Sequence, residues 1–125
     1  MSIGTNDTHQ IMNVSKMEYG YIVSHANYGV ADYFPGQNNS LTLTGLYSGR
    51  VEIVLEQIDV YKDDAGNCVD YLLISTLDKI CGSTPMSFYV NLSSSVNEIT
   101  LIFKTTTAQS THKGFWLSYK GIYTF

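Results

Sequence analysis

The run Val51-Glu52-Ile53-Val54-Leu55-Glu56 decides the fold class. Successive side chains of an extended chain point to opposite faces, so Val51, Ile53 and Leu55 share one face and Glu52, Val54 and Glu56 the other. The same period of two returns where Ile99, Leu101 and Phe103 alternate with Thr100, Ile102 and Lys104. It returns again where Phe115, Leu117 and Tyr119 alternate with Trp116, Ser118 and Lys120. Shorter runs of strand type occupy Leu41 to Thr44, Tyr71 to Ser75 and Phe88 to Leu92. Turn residues separate them at Pro35-Gly36, Ser48-Gly49, Ala65-Gly66-Asn67, Gly82-Ser83-Thr84-Pro85 and Lys113-Gly114. No segment sustains a helical stripe, and many short strands at this spacing predict an all-β sandwich or barrel.

With 125 residues and 44% hydrophobic content, the chain can bury one core and is too short for two comparable domains. Residues 1–18 are polar and aperiodic, and read as an N-terminal tail or a loosely attached first strand; residues 19–125 read as the domain. Only 14% of residues are charged, while Tyr, Thr, Ser, Asn and Gly abound, a balance that suits a secreted, extracellular β-protein. A net charge of −4, with no run of Lys or Arg, repels phosphate backbones and anionic headgroups, which argues against nucleic acid and heparin-like partners. No stretch is long and apolar enough for membrane insertion, and MSIGTNDTHQ lacks the apolar core of a signal peptide. Asn6, Asn13, Asn38 and Asn91 each open an N-glycosylation sequon.

Cys68 and Cys81 could form a disulfide, remain two thiols or make half of a zinc site, and the composition favours the first. Such a bridge would contribute about 3 kcal/mol by restricting the unfolded chain. An oxidised pair also removes the best nucleophile. Neither a Gly-x-Ser-x-Gly elbow nor a glycine-rich phosphate loop is present, and His9, His25 and His112 lie far apart in polar stretches, as surface or turn histidines do. Non-enzymatic binding is therefore expected. Tyr71 and Tyr119 lie on strands and read as core, whereas Tyr28, Tyr33, Tyr47 and Tyr61 lie at turns, where a ring with a polar tip suits ligand contact. Trp116 alternates against Phe115 and Leu117, which leaves it either on an outer sheet face or within the sandwich. Tyr28, Tyr33, Tyr61, Trp116 and His112 form the candidate contact set.

The order of these pieces resembles a CUB domain. Gly20-Tyr21-Ile22-Val23-Ser24 followed by Asn27-Tyr28 resembles that family's opening strand and turn, Tyr33-Phe34-Pro35 its Tyr-Pro turn, and Gly49 with Val51, Ile53 and Leu55 its glycine-led strand. Asp59, then Cys68, Asp70-Tyr71-Leu72 and Ile80-Cys81-Gly82, are similar to its central aspartate and cysteine pair. The strands at Ile99 to Lys104 and Gly114 to Tyr119 resemble its closing pair. The resemblance implies a jelly-roll-like β-sandwich of two antiparallel sheets that serves as a recognition module. The family's earlier cysteine pair is missing, with Asn38-Asn39-Ser40 at one of its places, which implies a less firmly anchored N-terminal segment. A one-domain chain of this kind resembles the stand-alone members, the spermadhesins.

The resemblance also raises calcium at the end of the sandwich near the cysteines, with Asp63, Asp64, Asp70 and Thr106 as the side chains to supply it. The pattern departs from the family's there. Only one residue separates Cys68 from Asp70, Tyr61 falls where a glutamate is usual, and Thr106 stands for an acidic residue. Fewer carboxylates favour the other reading of this end, an acidic surface turn with Asp70 hydrogen-bonded to loop backbone. Three partners follow as expectations: an extracellular protein, the glycan of a glycoprotein bound by an adhesin, or a second copy in a self-associating matrix component.

Overall fold

A computed structural model describes residues 2–4, 8–14, 19–45, 49–75, 77–93, 95, 97–106 and 111–123, the last two as backbone only. Its strands are β1 (His9–Asn13), β2 (Tyr19–Val23), β3 (Asn38–Thr44), β4 (Gly49–Asp59), β5 (Tyr71–Ile74), β6 (Met86–Leu92), β7 (Ile99–Lys104) and β8 (Gly114–Tyr123). They form two four-stranded sheets, ordered β1-β3-β7-β5 and β2-β8-β4-β6, in which β1 and β3 run parallel and every other pair is antiparallel. The chain is thus an all-β sandwich, and no described helix is long and apolar enough to cross a membrane.

The period of two is also the period of burial. Val51, Ile53 and Leu55 from β4, Leu101 and Phe103 from β7, and Phe115 and Leu117 from β8 meet between the sheets, each 1% exposed or less. Phe103 stands edge-on to Phe115 with ring centroids 5.1 Å apart, a geometry that matches ring edges to ring faces across the core. In β4 the alternation then breaks. Leu55 pairs with Leu117 and Gln57 with Trp116, so Glu56 is the extra residue of a β-bulge. The bulge turns Ile58 into the core and Gln57 outward beside Trp116. Opposite Tyr119, Gly20 leaves room for the phenol: a Cβ there would collide with the Tyr119 ring and hydroxyl.

The N-terminal segment is tied to both sheets. The Ile3 N–H donates to Val23 O, β1 pairs with β3 along its full length, and Ile3 and Val14 are completely buried. Where the resemblance places an earlier cysteine, Asn39 is buried and its amide donates to Thr8 Oγ1 at 2.6 Å. Gln37, also buried, donates to the carbonyls of Gly4 and Ser24. The sequons at Asn6 and Asn13 each include residues outside those described.

Cys68 and Cys81 form a disulfide that joins the segment after β4 to the segment after β5. Replacing both by Ala should lower the unfolding free energy by about 3 kcal/mol, read from the urea midpoint, with the secondary structure unchanged before unfolding.

Candidate functional site

Three connections, β2–β3, β4–β5 and β7–β8, meet at one end of the sandwich around Asp70, which is 2% exposed. Its Oδ2 accepts the Tyr33 hydroxyl at 2.6 Å and its Oδ1 accepts the Thr106 N–H at 2.8 Å. The Tyr33 oxygen in turn accepts the Tyr61 N–H at 3.1 Å. A buried carboxylate is tolerated only when its oxygens are matched in this way. Tyr33 is therefore a core side chain, 1% exposed with its ring edge-on to Phe103, and not the surface contact residue expected from its turn. Thr106 contributes its backbone N–H here.

The remaining acidic candidates point elsewhere. Asp63 Oδ1 accepts the Asn67 N–H and closes a turn in which Gly66 N–H donates to Asp63 O; Asp64 is exposed on that turn. Among the described residues no three His, Cys, Asp or Glu side chains gather in a group that could hold a metal ion. Calcium takes six to eight oxygens; each Asp70 oxygen accepts one hydrogen bond here, Asp63 closes its own turn, and Thr106 contributes its backbone N–H to Asp70. Asp59, which the sequence marks only as a landmark, is an organiser. Its Oδ1 lies 2.8 Å from His112 Nδ1 and its Oδ2 accepts the Lys113 N–H at 2.9 Å, while Tyr61 stacks on the His112 ring with centroids 5.1 Å apart.

His25, read as a surface or turn histidine, is fully buried. The Phe115 N–H donates to Ser24 Oγ, Ser24 Oγ lies 2.7 Å from His25 Nδ1, and His25 Nε2 lies 2.6 Å from the Ala31 carbonyl. A carbonyl only accepts, so Nε2 carries a proton and donates to Ala31 O. This serine beside a histidine is enclosed and fully engaged, and offers no attacking oxygen to a substrate. Gly114, at φ +95°, makes the arrangement possible: a Cβ there would overlap the Ser24 hydroxyl.

Tyr28 rests edge-on against the His25 ring, at 6.0 Å between centroids, and donates its hydroxyl to Gln57 Oε1 at 2.8 Å. Burial, and then the charge of Asp59, hold its phenol above the usual pKa and keep it a neutral donor. On one side Tyr28 borders a polar cleft of about 300 Å³ with Ala31, Asp32, Gln57 and Lys113. On the other it borders an apolar saddle of about 260 Å³ with Tyr21, Val23 and Trp116. Trp116 lies half-buried on the outer face, its backbone paired with Val23. The fold thus joins Tyr28 to Trp116, stacks Tyr61 on His112, and buries Tyr33. Tyr47 lies outside the described residues. Tyr21 was missed, although its place opposite the buried Ile22 in the alternation marks it as outward.

Removing the Tyr33 hydroxyl with Tyr33→Phe leaves Asp70 Oδ2 and the Tyr61 N–H short of a partner and should cost roughly 2 to 3 kcal/mol in urea unfolding. Tyr28→Phe, which loses one exposed hydrogen bond, should stay within about 0.5 kcal/mol of the parent.

No protein-family model matches the sequence, and no curated protein is similar to it by sequence. Solved structures are similar in shape. The CUB1-EGF-CUB2 domains of rat MASP-1 superpose with a TM-score of 0.69 at 20% identity, over 89% of this chain and 39% of that one. The MASP-1 CUB2 domain bound to Ca2+ gives 0.65 at 20% identity, over 94% and 99%. The full extracellular region of zebrafish Gpr126/Adgrg6 gives 0.57 at 20% identity, over 93% and 14%. The chain spans about two fifths of the rat MASP-1 fragment and nearly all of the isolated CUB2 domain. Two four-stranded sheets, a buried central aspartate and a disulfide beside it, on a backbone that superposes with these domains, give this chain the fold of a CUB domain.

Proposed function

We propose that the chain is an extracellular recognition module that binds a protein partner without catalysing a reaction. One observation carries this reading: the surface around Tyr28, where the apolar saddle of Tyr21, Val23 and Trp116 runs into the polar cleft of Asp32, Gln57 and Lys113. Half-buried aromatic rings beside polar groups make anchors of the kind that dominate protein interfaces. The disulfide and the sparse charge suit an oxidising, extracellular setting. Ser24, His25, Asp70 and the cysteine pair, five of the side chains with nucleophilic or acid-base chemistry, are engaged in holding the fold. In this reading the Asp70 hydrogen bonds supply the loop order at this end, where calcium would be an addition; the MASP-1 CUB2 domain to which the chain is similar is bound to Ca2+.

A glycan partner is the second reading, favoured by the exposed Tyr21 ring and the Trp116 ring beside the Gln57 amide. Sugar faces stack on such rings while hydroxyls bond to amides and carboxylates.

Immobilised parent protein should retain a partner from the native extracellular fluid, and a Tyr21→Ser, Trp116→Ser variant of unchanged melting temperature should retain it about tenfold less or worse. Retention after enzymatic deglycosylation of the captured partner supports the protein reading; release supports the glycan reading. Equal capture by parent and variant contradicts both.

A further inference from the structure

The sandwich has four sheet edges, and they are not alike. Strand β2 is covered at its end by Ser2 and Ile3, and β5, only four residues long, is paired on its outer side with Ile80. Strand β1 is five residues long and runs parallel to its neighbour. Strand β6 is longer than these three. It runs for seven residues, Met86-Ser87-Phe88-Tyr89-Val90-Asn91-Leu92, pairs on one side with β4, and has no strand or bridge on the other among the described residues. It carries no charge and no proline, the devices that ordinarily prevent a free edge from pairing.

We infer that β6 pairs antiparallel with β6 of a second copy of this chain across a two-fold axis at Tyr89, joining two sheets into one of eight strands. Antiparallel pairing of a strand with itself is the isologous contact that closes a dimer. Of the registers that keep inward residues opposite inward ones, only the one centred on Tyr89 pairs all seven residues. It sets Phe88 against Val90 of the other copy and Ser87 against Asn91. Phe88 and Val90 are only partly buried in one copy, and Met86 is 37% exposed. Alongside them a cleft of about 500 Å³, lined by Leu77, Ile80, Met86 and Phe88 together with Lys62, Asp78 and Lys79, lies between β6 and the segment before Cys81. A strand added at this edge roofs that cleft with its inward side chains, as in other cases of strand addition. Tyr89 is held on the outer face by Glu52, which accepts its hydroxyl, and by Arg50 over its ring, so the residue that meets its own copy across the axis is held in place. The edge lies two strands away from β8 and so is independent of the recognition surface at Tyr28.

The test is sedimentation velocity over a concentration series reaching several hundred micromolar, on protein from a host that leaves Asn91 unglycosylated. The parent should show a monomer–dimer equilibrium. S87E/N91E sets carboxylates opposite each other across the axis and should weaken the dimer roughly tenfold, with the melting temperature of the dilute monomer unchanged; S87K/N91E sets opposite charges there and should restore it. A parent that stays monomeric throughout overturns the proposal, as does a dimer that neither variant changes. A dimer that both variants weaken alike overturns the register centred on Tyr89.

Discussion

One buried carboxylate organises an end of this sandwich. Asp70 receives the Tyr33 hydroxyl and the Thr106 N–H, and Tyr33 receives the Tyr61 N–H, so a single cluster joins three connections that come from both sheets. Leaving any of these groups unmatched in the interior costs more than the bond itself contributes, which makes the cluster close to all-or-none. It also seats the Tyr33 ring on Phe103, which packs on Phe115, so loop order and core packing are coupled.

Two backbone features carry that order to the surface. The bulge at Glu56 brings Gln57 to the outer face within reach of Tyr28, and Gly114 lets the start of β8 approach Ser24 and His25 closely enough to close their chain of hydrogen bonds. His25 then supports Tyr28 from beneath. A surface built on rigid strands and enclosed hydrogen bonds loses little entropy on binding, which is the physical condition for a recognition module.

The strands were legible because alternation is a local signal. Val51 to Glu56, Ile99 to Lys104 and Phe115 to Lys120 each state which face is inward, and the burial follows them. Strand β1 was hidden because its pattern is inverted: Ile11 is 78% exposed, whereas Gln10 turns inward and donates to the Ile3 carbonyl. The candidate site was only partly legible for a related reason. Tyr28 and Tyr33 look alike beside their turns, and what separates them is Asp70, far along the chain, which gives Tyr33 a buried partner. The buried state of His25 likewise rests on a serine hydroxyl and a carbonyl that only the folded turn aligns. Asp63 and Asp70 are near in sequence, yet each carboxylate accepts from the backbone of a different segment, Asn67 for Asp63 and Thr106 for Asp70, which sequence nearness does not show.

The central claim is that the hydrogen bonds of Asp70 order this end of the sandwich by themselves. The direct test is the melting temperature of the intact protein in millimolar calcium and in chelator, since an ion held only by the folded state must raise the midpoint. The account predicts the same midpoint in both. A rise of several degrees with calcium would contradict it.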